Sequence, residues 1–89
     1  MFHLRTIAGD KRPKNIVGAR VREARINFNP RLTQADLSGL LRDEGIKIDR
    51  AGVSKIETAE RVVLDFELQA IAAVLTVKVG WLLNEDADL

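Results

Sequence analysis

Apolar residues return every three or four positions through most of this chain, and charged residues fill the faces between them. Val17, Val21, Ala24 and Phe28 set the first stripe, with Asn15 ahead of it as the expected N-cap. Pro30 ends that helix, because a proline biases the preceding Asn29 away from the α region. A second helix is predicted from Thr33, where Thr33-Gln34-Ala35-Asp36 has the form of a capping box with Asp in the usual Glu place. Leu37, Leu40 and Leu41 are expected to face inward, and the helix to reach Arg42 or Asp43. The polar stretch RDEGIK, with Gly45, then leads to a third helix capped by Asp49 and ending near Ala59. Asp65 is read as the cap of a fourth helix, whose stripe is Leu68, Ile71, Ala72 and Leu75. Val79, Trp81, Leu82 and Leu83 indicate a short fifth. Alternation survives only in fragments such as IKI and TVKV, so the expected fold class is all-α, a compact bundle of five short helices.

The ends differ from the middle. Residues 1–14 lack sustained periodicity and finish in KRPK, which reads as a basic arm; residues 15–84 form the folded domain; residues 85–89 are an acidic tail. Composition agrees with one folded domain, since 46% hydrophobic and 30% charged residues are far from the disordered range. The absence of cysteine excludes a disulfide framework and a thiolate zinc site. No apolar run approaches the roughly 20 residues of a membrane span. The amino-terminal stretch also lacks the apolar core of a secretory signal. The expectation is a cytoplasmic protein with no membrane partner.

Charge changes the picture only when it is divided along the chain. The net value is +1, yet residues 1–35 carry +6, residues 36–61 carry −1 and residues 62–89 carry −4. A dipolar molecule of this kind presents one end to a polyanion.

One segment poses a specific question. In DRAGVSKIETAER, residues 49–61, the first helical turn holds Arg50, Ala51 and Gly52 where bulk would stabilise a helix, and a glycine there costs roughly 1 kcal/mol relative to alanine. The missing side chain leaves room either for the wall of a ligand groove or for close packing against the second helix.

Together with VREAR, LTQADLSGLL, GVSKIETAERVV and ELQAIAAVLTVKVGWLL, in that order from Asn15 to about Leu83, this segment resembles the lambda-repressor-like (Cro/CI or XRE-type) helix-turn-helix domains. The resemblance implies a five-helix bundle whose second and third helices grip double-stranded DNA. In such domains the front of the recognition helix meets base edges in the major groove. That assigns base contacts to Arg50, Ala51 and Lys55: arginine can bond guanine in bidentate fashion, and alanine can pack on a thymine methyl. By the same resemblance Gln34 binds a phosphate at the start of the second helix, with Thr33, Thr58 and Arg61 as further backbone contacts. Arg25 and Glu57 match a structural ion pair between the first and third helices, and Ser38 matches a small residue at a close helix approach. The turn between the second and third helices is longer than the family's, and Asp43, Glu44 and Asp49 bring negative charge to it.

The resulting expectation is a sequence-specific DNA-binding transcriptional regulator of bacterial or phage type, with repression as the leading mode, acting as a homodimer on DNA. The alternative is an antitoxin or adaptor that uses the same fold mainly to bind a protein partner, in keeping with the acidic rear of the chain. Trp81 serves either the core or self-association. Enzymatic activity is not expected. His3 is the sole histidine and lies in the arm, the two serines have no evident base, and no metal-ligand spacing or phosphate loop occurs, so neither a metal nor a cofactor is foreseen.

Overall fold

Asn15 opens the fold by taking two backbone donors, Val17 N–H at 3.0 Å and Gly18 N–H at 2.8 Å, on its side-chain oxygen. The computed structural model describes residues 12–85, and within them five helices follow: α1 (Gly18–Asn27), α2 (Gln34–Asp43), α3 (Arg50–Glu57), α4 (Asp65–Leu75) and α5 (Val79–Leu82). No strand occurs among the described residues, and no helix is long and apolar enough to cross a membrane. The all-α expectation and the number of helices hold. Most of the amino-terminal arm, with His3, Arg5 and Lys11, lies outside the described residues, as do residues 86–89 of the acidic tail.

Local chemistry explains most of the boundaries. Thr33 and Asp36 form the full capping box, Thr33 Oγ1 accepting Asp36 N–H and Asp36 Oδ2 accepting Thr33 N–H, both at 2.9 Å. Asp49 accepts Gly52 N–H at 2.7 Å and starts α3. At the far end of α2, Gly45 adopts a left-handed φ of 83°, Gly45 N–H bonds Arg42 O and Ile46 N–H bonds Leu41 O, which is a Schellman cap. The same pattern closes α3, α4 and α5 with Ala59, Thr76 and Asn84 in the left-handed position, none of them glycine.

Four expectations need correction. Val17, rather than Asn15, holds the cap position of α1, which begins at Gly18; Asn15 supplies its side-chain oxygen from two residues earlier. The α3 helix stops at Glu57, two residues short of Ala59, because Ala59 turns left-handed to cap it. Asp65 is the first residue of α4 rather than its cap: the carboxylate of Glu67 reaches back to Leu64 N–H at 3.0 Å and takes that role. Leu40 does not face inward with Leu37 and Leu41. It is 37% exposed, one step round the helix from the buried stripe.

The core gathers Val17, Val21 and Ala24 from the start of the bundle, Leu37 and Leu41 from α2, and Val53 and Ile56 from α3. Ile71, Ala72 and Leu75 of α4 and Leu82 of α5 complete it, with Ile48 of the α2–α3 connection. Each of the large members contributes about 1.5–3 kcal/mol by burial. α3 packs against both α1 and α2, so its opposite face is left outward. Trp81 is half-buried, its ring beneath the Arg20 guanidinium at 4.5 Å, and Arg20 also donates to Trp81 O at 3.0 Å.

Gly18 shows why α1 and α3 can lie so close. A Cβ at Gly18 would stand 2.8 Å from Glu57 O and would also run into Ile56 O. The bare α-carbon lets the start of α1 rest on the last carbonyls of α3.

Candidate nucleic-acid interface

The front and outer face of α3 are open. Asp49, Arg50, Ala51 and Lys55 are all exposed, while Val53 and Ile56 anchor the opposite face in the core. The long α2–α3 connection does not fold over this end. Ile48 tucks inward instead, held by Ser38 Oγ, which donates to Ile48 O at 2.7 Å. That bond also satisfies the buried hydroxyl of Ser38, whose place in the structure is one of packing.

The missing bulk in the first turn of α3 now has a local cause. A Cβ at Gly52 would lie 2.8 Å from Ile48 Cγ2 and 3.1 Å from Asp49 Oδ1. Glycine lets Ile48 turn into the core and lets Asp49 cap the helix at once. The close neighbour is the connection rather than α2 itself.

A polar relay orients the front of α3. Arg25 Nε and Nη2 donate to the two oxygens of Glu57 at 2.7 and 3.0 Å, and Arg25 Nη1 donates to Leu32 O at 2.9 Å. Glu57 Oε1 also accepts Gln34 Nε2 at 3.0 Å, and Gln34 Oε1 accepts Arg50 Nη1 at 3.2 Å. The amide of Gln34 can face only this way, since a carboxylate needs its donor and a guanidinium its acceptor. The expected Arg25–Glu57 pair is therefore present, and it is linked through Gln34 to Arg50. The Glu57 hydrogen bonds hold the Arg25 guanidinium above its ordinary pKa.

The other residues named from the sequence divide by what already holds them. Thr33 Oγ1 accepts Asp36 N–H, which leaves its own proton for a further acceptor. Thr58 Oγ1 bonds back to Ser54 O at 3.1 Å and lies 3.0 Å from Glu60 Oε2. The Arg61 guanidinium grips Glu67 with two hydrogen bonds, at 3.0 and 3.2 Å, and Nη1 also donates to Val62 O at 2.8 Å. This contact keeps the Glu67 carboxyl below the usual glutamate range, against the opposing effect of burial, with Leu64 N–H assisting. Glu67 escaped the sequence reading. Its signal was its position, the third helical residue after Leu64, where a glutamate commonly reaches back to a cap.

Two depressions flank the outer face of α3. The first, about 460 Å³, is lined by Ser38, Arg42, Lys47, Ile48, Asp49, Gly52 and Arg61. The second, about 570 Å³, runs past Ala51 and Lys55 to Glu60, Val62, Leu64 and Glu67, and shares Asp49, Gly52 and Arg61 with the first. Neither contains a cluster suited to a metal ion, and no such cluster occurs among the described residues. Comparison with known proteins yields no relative: no family model, no curated protein and no solved structure matches the chain.

Proposed function

We propose that the protein is a sequence-specific double-stranded DNA-binding regulator of transcription, working in the cytoplasm as a homodimer on DNA with α3 in the major groove. The observation that carries this reading is the open front of α3, where Arg50, Ala51 and Lys55 are exposed on a helix fixed from behind by its core and by the Arg25–Glu57 pair. In a helix-turn-helix arrangement those are the positions that meet base edges, and Gln34 at the start of α2 meets a phosphate. Affinity for the polyanion then depends steeply on salt. Selection of bound duplexes from a random pool, repeated at two salt concentrations, tests this directly. The expected result is an enriched two-fold symmetric site bound more weakly at higher salt; failure to enrich any sequence would refute the reading.

A second reading has one observation in its favour. Val62, Leu64 and Phe66 are 56%, 48% and 57% exposed in consecutive alternate positions. Such a strip suits an antitoxin or adaptor that uses the fold to hold a protein. Capture of a stoichiometric protein from nuclease-treated lysate, lost on Phe66→Ser, would favour it over DNA binding.

A further inference from the structure

The α2–α3 connection brings acids and bases near the front of α3, and the fold separates Lys47 from Asp43 and Glu44. Ile46 and Ile48 turn toward the core, so the intervening Lys47 points outward into the first depression. Arg42 reaches the same depression from the last turn of α2, and among the described residues neither cation forms an ion pair or a side-chain hydrogen bond. Asp43 lines a separate hollow with Asp36, Gly39 and Leu40, which Arg42 borders as well, so Arg42 stands between the two hollows and Lys47 faces the first alone; Glu44 lines neither depression beside α3. Asp49 is the one carboxylate in the first depression, and its Oδ1 accepts Gly52 N–H. The second depression differs, since Glu60 and Glu67 join Asp49 there.

From this sorting we infer that the long α2–α3 connection is a phosphate clamp, in which Lys47 and Arg42 hold the nucleic-acid backbone beside the front of α3. The inference rests on the DNA-binding reading above and adds a backbone contact to it. Both cations are flexible point contacts in an open hollow whose floor is Ile48 and Gly52, a shape that fits a sugar-phosphate edge rather than a base. The backbone donor at Gly52 is already used by Asp49, so the side chains and not the helix end supply the charge.

The test uses the duplex enriched from the random pool and one unrelated duplex. Lys47→Gln and Arg42→Gln are each expected to lower the slope of log affinity against log salt by about 1.8 for the dimer, about 0.9 from each protomer. Both should weaken the two duplexes by the same factor, with the circular dichroism melt unchanged. Lys78→Gln, on the exposed residue before α5, is the control for bulk charge and should leave the slope unaltered. Undiminished slopes in both connection variants, with the unmodified protein still binding, overturn the clamp alone. An equal loss in Lys78→Gln also overturns it, by showing a field effect in place of a contact. If the unmodified protein binds no duplex at all, the clamp and the reading beneath it fall together.

Discussion

Arg25 of α1 and Glu57 at the end of α3 meet side by side, with hydrogen bonds of 2.7 and 3.0 Å and side chains only 10% and 3% exposed. Glu57 in turn holds Gln34 and, through it, Arg50. A buried pair of this kind adds little net stability over an apolar replacement, but breaking it strands a charge. Glu57→Gln is therefore expected to lose about 3–5 kcal/mol in urea denaturation. Arg25→Met combined with Glu57→Leu should lose less than either single change. Additive losses would mean that the two side chains act independently.

The same relay makes a prediction about recognition. Arg50→Ala should cost about 1–3 kcal/mol of binding and relax preference at one base position. Gln34→Ala should weaken every duplex, as expected of a phosphate contact, with a smaller loss of preference at that base position than Arg50→Ala causes. Because Gln34 Oε1 also fixes Arg50, the double variant should lose less than the two singles together. Binding isotherms on single-base variants of the selected site check all three expectations.

Gly18 and Gly39 make a matched pair. Gly18→Ala pushes a methyl into the carbonyls of Ile56 and Glu57, and a destabilisation of about 1–3 kcal/mol is expected from overpacking. Gly39 sits inside α2 with only Arg42 Nη2 within reach, 3.6 Å from where a Cβ would stand. Gly39→Ala should thus gain up to about 1 kcal/mol of helix propensity. Opposite signs in thermal melts are the diagnostic result.

Ala59 caps α3 at φ 63°, a conformation that costs an L-residue about 1–2 kcal/mol. Ala59→Gly removes that strain and adds back a smaller unfolded-state entropy of about 0.4–1 kcal/mol. A net gain of roughly 0.5–1 kcal/mol is expected, read as a higher denaturation midpoint with an unchanged slope.

Glu67 gives the acid limb of stability a sign. Its folded pKa lies below the unfolded value, chiefly through Arg61, so the contact stabilises the protein at neutral pH. That contribution is lost as pH falls from about 4.3, the ordinary glutamate value, through the lower folded one. Glu67→Gln should be less stable than the parent at pH 7 and lose less of its melting temperature on acidification. Parallel melting curves from pH 7 to pH 3 would assign the acid sensitivity elsewhere.

What was legible in the sequence was what acts over three or four residues. The Thr33–Asp36 box, the Asp49 cap, the place of Gly45 in the connection and most of the apolar stripe positions depend on neighbours along the chain, and these fell where the spacing put them. The resemblance supplied one long-range contact, Arg25 with Glu57, that spacing alone does not contain. Tertiary structure decided the rest. Leu40 looked equivalent to Leu37 and Leu41, but the width of the buried stripe is set by what packs against α2, which left it exposed. Gly18 and Ser38 take their meaning from carbonyls on other segments, which a linear pattern cannot supply. Arg42, Asp43, Glu44 and Lys47 read as one mixed run of charge until the turn of Ile46 and Ile48 into the core sent Lys47 to the side of α3 and left Asp43 on the other, with Arg42 bordering both. Sequence fixes which charges a loop owns; the direction each one faces follows from which of its neighbours the core takes.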